Sequence, residues 1–129
     1  GEGQISYAGA NCVARGNLAI SLVRERLAQT SGAIIEHRGE LIGVNSVWPS
    51  THETANIAEV RMRYAARCHD AISAQAIGEE VEGLYLAGPA GGGGVTKSLR
   101  EVLAIASTLM PADKVATTFE MNGASHEAA

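Results

Sequence analysis

Residues 88–98 read GPAGGGGVTKS. Consecutive glycines leave backbone N–H groups bare, so Gly91, Gly92, Gly93 and Gly94 can turn several of them toward one anion. Thr96, Lys97 and Ser98 follow at once and add two hydroxyls and a positive charge. That set suits a phosphate, a coenzyme A thioester or a substrate carboxylate. It is not a Walker loop: Gly88 and Gly93 have the spacing of its two glycines, but Gly94 stands where its lysine is required. The Rossmann context is missing too, because a helical pattern precedes the glycines. A flexible helix-to-strand connection, or a subunit contact, accounts for the same residues.

A second anion site is offered by Ser6, Tyr7 and Asn11, at the point where a strand runs into a helix start. Free N–H groups at a helix N-terminus favour negative charge; a capped turn is the plainer reading. Cys12 lies close to that helix start, where a thiol pKa falls, yet no base accompanies it and core packing explains it. His37, His52, His69 and His126 form no ligand cluster, so no metal is expected. His52-Glu53 begins like a zinc-peptidase helix, but residue 56 is Asn. Arg61, Arg63 and Arg67 share one face of an alternating segment and suit an interface with carboxylates.

Several elements must position these groups. Residues 4–8 read as a strand. Residues 10–29 read as a helix, with Leu18, Leu22, Val23 and Leu27 inward and Arg15 on the wet side. Residues 33–48 are extended, and 49–56 form a polar loop. Val60, Met62, Tyr64, Ala66 and Cys68 alternate with the arginines, as in a half-buried strand. Asp70 is placed to cap a helix running to about Tyr85. The segment 95–110 fits a strand by alternation and a helix by its Val95, Leu99, Val102, Ala106 stripe.

The strand reading of 95–110 closes a βαββαβ order. That is the ferredoxin-like split βαβ arrangement, an α/β (α+β) sandwich with two helices on one face of an antiparallel sheet. In this reading the glycine loop and the Ser6–Asn11 turn lie at opposite ends of the sheet and meet only across an interface. A single domain over 1–121 is expected, with Lys114–Met121 adding a short strand and 122–129 a disordered tail.

Composition narrows the function further. Net charge is −4 and the ten basic residues are scattered, which argues against nucleic acid. No run of about 18 apolar residues suggests a membrane span. No signal peptide is visible, and two cysteines without an evident pairing pattern read as free thiols in the cytoplasm.

Four phrases in order resemble the acyclic terpene utilisation protein A (AtuA) family. They are SYAGANCVARGNLAISLVRERL at 6–27, ELIGVNS at 40–46, EVRMRYAARCHD at 59–70 and EVEGLYLAGPAGGGGVTKSLREVL at 80–103. The resemblance implies catabolism of acyclic terpenes or branched acids, with an acyl-CoA thioester as substrate and coenzyme A as its carrier. It implies a C-terminal domain or small subunit, inactive alone, that assembles with a larger AtuA-like partner or with itself. Hydratase or lyase chemistry is the family-level analogy. The alternative is a non-catalytic oligomerisation domain. No catalytic residue transfers.

Overall fold

The computed structural model describes residues 1–30, 33–48, 56–103, 105–115 and 118–127. Strand β1 (Glu2–Ala8) leads into α1 (Cys12–Thr30), and β2 (Ile34–Ile42) is followed by β3 (Glu59–Cys68). Then come α2 (Ala71–Glu82), a single turn α3 (Leu84–Ala87) and β4 (Gly92–Ser98). The four strands form one sheet in the order β2-β3-β1-β4, every neighbouring pair antiparallel. Both helices pack on the same face and touch each other. The expected α+β sandwich, a four-stranded antiparallel sheet with two helices, is what the chain forms.

Alternation along the central strands builds the core. Ile5 and Tyr7 of β1 and Val60, Met62, Tyr64 and Ala66 of β3 all face the helices and are buried. Opposite them lie Ala19, Val23 and Leu27 of α1 and Ile77 and Val81 of α2. The α1 stripe is rotated from the expected one: Leu18 is half exposed, and Cys12, Gly16 and Ala19 face inward. Small residues there let the helix approach closely. A methyl group on Gly16 would lie 2.7 Å from a Leu41 methyl. Asp70 caps α2 as expected, accepting a bond from the Ser73 backbone N–H at 2.8 Å.

The fourth strand does not occupy 95–110. It starts inside the glycine run, at Gly92, and ends at Ser98. Residues 99–103 and 105–110 take neither strand nor helix, and their large apolar side chains are exposed. Nothing in the sheet needs them, since β4 already fills the position beside β1. Further on, Thr118–Met121 and Ala124–Glu127 pair as a two-stranded antiparallel hairpin. His52 and most of the polar loop at 49–56 lie outside the described residues.

Candidate functional site

The two segments expected to bind an anion lie at the same end of the sheet, not at opposite ends. β4 runs antiparallel to β1, so Gly92 stands beside Tyr7 and Gly93 beside Ser6. The physical reason is chain reversal. Helix α2 carries the chain back to the end where β1 finishes, and β4 starts from there. The Gly9–Asn11 turn and the 88–91 connection are therefore neighbours within one chain.

Arg15 ties them together. Its Nη1 donates to the Ala90 carbonyl at 2.8 Å, and its Nη2 donates to the carbonyls of Ala8 and Ala10. The guanidinium also lies over the Tyr7 ring, 5.9 Å from its centroid. Tyr7 is fully buried, and among the described residues its hydroxyl has no hydrogen-bond partner. Burial pushes the Tyr7 phenol above its ordinary pKa, and the Arg15 charge offsets only part of this. Sequence reasoning placed Arg15 on the wet side of its helix and missed it. The available signal was that α1 carries no acidic residue one turn away from it.

Arg61 gathers a second group of the expected site residues on the open sheet face. Its Nη1 donates to Ser6 Oγ at 3.0 Å, and its Nη2 donates to Thr96 Oγ1 at 2.9 Å and the Gly94 carbonyl at 3.1 Å. Its Nε donates to Gln4 Oε1. All four acceptors are uncharged. Neither Arg15 nor Arg61 forms an ion pair with a carboxylate among the described residues. The glycine run passes between these two cations. A Cβ on Gly91 would lie 2.9 Å from Arg15 Nη1, and one on Gly94 would lie 3.7 Å from Arg61 Nη1. Both glycines have positive φ, 76° and 63°, which a side chain would strain. Gly94 falls where the β1–β4 register slips, a bulge that turns its carbonyl toward Arg61.

Lys97 and Ser98 do not join this group. They lie at the far end of β4, opposite Gly3 and Glu2. The Lys97 stem covers Gly78 of α2, and its Nζ pairs with Glu82 at 2.5 Å. Thr96 and Lys97 therefore face opposite sides of the sheet. Asn11 has φ 59° in the turn before α1 and lines a cleft with Cys12, Asn17, Asn56 and Ile57. Cys12 Sγ donates to the Ile57 carbonyl at 3.2 Å, and both cysteines are free thiols.

Arg63 and Arg67 are held differently from Arg61. Arg63 bridges Glu2, at 2.6 and 2.7 Å, and Glu40, at 2.8 Å; Arg38 reaches the other Glu40 oxygen at 2.6 Å. Glu40, the one buried acidic side chain among the described residues, was not singled out from sequence. Arg67 contacts Glu36 at 3.3 Å. Burial raises the Glu2 pKa, but hydrogen bonds from Arg63 and Gln4 and the Arg63 charge outweigh it and hold the carboxyl below its ordinary value. The same bonds hold the Arg63 guanidinium above its usual range. The arginine row is thus a charge lattice within the chain at Arg63 and Arg67, and at Arg61 a cation without an ion pair among the described residues.

Among the described residues, no three His, Cys, Asp or Glu side chains converge as metal ligands. His37 instead stacks on Tyr64 and shares a 2.9 Å hydrogen bond with its hydroxyl. No helix of the described residues is long and apolar enough to cross a membrane. The family described as acyclic terpene utilisation family protein AtuA matches over residues 1–121. No curated protein and no solved structure matches the chain.

Proposed function

Because the chain belongs to the AtuA family, associated with acyclic terpene utilisation, we propose that it is an accessory domain or small subunit that holds the anionic group of an acyl substrate. The observation that supports this is the placement of Arg15 and Arg61, two guanidiniums without a carboxylate partner among the described residues, at the two ends of a bare glycine run. An anion beside Gly93 meets no side chain within 4 Å of that glycine's Cβ direction and can accept the one Arg61 N–H that the chain leaves undonated. A branched carboxylate, or the phosphates of a coenzyme A thioester, has the required charge. Hydratase or lyase turnover, by family analogy, needs a larger AtuA-like subunit.

The test is an NMR titration of the chain with a branched acyl-CoA, with free coenzyme A and with the free acid. Saturable shifts are expected at Gly91–Gly94, and the three titrants separate phosphate from carboxylate recognition. Arg61→Gln should weaken binding about tenfold or more. Absence of saturable shifts, or equal affinity of the Arg61→Gln variant, removes this reading. In that case an assembly domain without ligand is left.

A further inference from the structure

Arg63, Ala65 and Arg67 alternate along β3 with the core residues Tyr64 and Ala66, so all three face away from the helices. The register sets Ala65 between Arg38 of β2 and Glu2 of β1, and Glu2 beside Ser98 of β4. A methyl group with an arginine on either side along its own strand and a third across from it forms the floor of a depression. Its volume is about 650 Å³, within the roughly 300–1,000 Å³ of small-molecule sites. The chain leaves β4 at Ser98, and Arg100 and Val102 then form part of the wall.

The charges around this depression are unequally used. Arg38 and Arg63 share Glu40, and Arg63 also holds Glu2, so these two guanidiniums are matched by two carboxylates. Arg67 meets Glu36 only through Nε, at 3.3 Å, with both side chains largely in solvent. Such a pair is weak and exchanges readily. The two Nη atoms of Arg67 have no partner among the described residues. Arg100 makes no ion pair or hydrogen bond among the described residues, and its charge acts on Glu2 only across space. Four guanidiniums thus stand against three carboxylates, and the uncompensated charge lies at Arg67 and Arg100.

An oxyanion fits that remainder. A carboxylate or a phosphate offers several acceptor oxygens to guanidinium N–H groups, and charge-assisted bonds of this kind are the strong ones. The head group alone does not fill the space. The wall is apolar at Ala65 and Val102, and Val102 is 65% exposed, so a carbon body attached to the anion takes its side chain out of water. We propose that this depression binds a small organic anion, its carboxylate or phosphate held between Arg67 and Arg100 and its carbon body lying over Ala65 against Val102. Arg67 is six residues from Arg61 along the strand, about 20 Å. The site is therefore separate from the glycine run and does not depend on the function proposed for that run.

An NMR titration of the chain with hexanoate and with phenyl phosphate tests it, with hexanamide as the uncharged control. Saturable shifts are expected at Ala65, Ser98 and Val102 with at least one of the two anions, and the tighter one identifies the head group. Arg67→Gln with Arg100→Gln should raise its dissociation constant at least about tenfold. Arg67→Lys with Arg100→Lys should recover part of the loss, because the charge is kept and the fork is not. Both side chains are exposed, so circular dichroism should stay unchanged in either pair. Shifts at Gly91–Gly94 report on the other site, so each can fail without the other. Absence of saturable shifts with both anions overturns the proposal. Binding that survives the glutamine pair overturns it too, as does hexanamide binding as tightly as hexanoate.

Discussion

Replacing Arg63 by Met removes the centre of the charge lattice on the open sheet face. Three contacts vanish: Nε and Nη2 on Glu2, at 2.7 and 2.6 Å, and Nη1 on Glu40, at 2.8 Å. Glu40 is 6% exposed and keeps Arg38 as its cationic partner among the described residues, while Glu2 loses its main one. Breaking a fully buried pair costs about 3–5 kcal/mol, and a surface pair contributes about 0–1 kcal/mol. The Arg63 side chain is 34% exposed, so solvent screens part of its interaction and a loss of about 2 kcal/mol is expected. With a urea slope of about 1.5 kcal/mol per M, the unfolding midpoint falls by about 1.3 M. Urea denaturation followed by circular dichroism measures this directly. Arg63→Lys should recover only part of the loss, because an ammonium cannot reproduce the fork between two carboxylates. A double-mutant cycle with Glu40→Gln isolates the pair. A midpoint shift below about 0.3 M for Arg63→Met refutes the lattice and returns Arg63 to the status of an exposed, dockable cation.

Glu2 is held below its ordinary pKa in the folded chain, so its contribution to stability is present above the unfolded value of about 4.5 and disappears as pH falls through the folded one. Denaturation midpoints measured from pH 6 to pH 3 should decline below about pH 4.5, and the Glu2→Gln variant should decline less over the same interval. Gly3→Val places a side chain on β1 where a Cβ already lies 2.6 Å from Val81 Cβ, so a loss of about 1–3 kcal/mol is expected in thermal unfolding. Gly93→Ala meets nothing within 4 Å and should stay within about 0.5 kcal/mol of wild type. Arg15→Met frees the Ala8, Ala10 and Ala90 carbonyls, and amide hydrogen exchange at Gly9 and Gly91 should accelerate while β3 remains protected. Unchanged exchange at Gly91 means that Arg15 does not hold the two turns together.

The sequence by itself determined three strands and both long helices of the sandwich. Period-two alternation from Val60 to Cys68 can bury only one face, which settles both β3 and the side on which the arginines stand. Asp70 before an amphipathic segment fixes the start of α2, because its side chain satisfies a backbone donor that has no helical partner. Four phrases in sequence also identified the family. Local pattern went no further. The end of the sheet at which a loop lies depends on chain direction through every earlier element, so the two turns placed apart by sequence reasoning are neighbours. The start of β4 within Gly92–Gly94 carries no side-chain alternation, and only pairing with β1 reveals it. Arg15, Arg61 and Glu40 acquire their roles from partners 5 to 75 residues away. Charge neutralisation is a property of distance in space, and the folded chain alone decides that Arg63 finds carboxylates while Arg15 and Arg61 find none among the described residues.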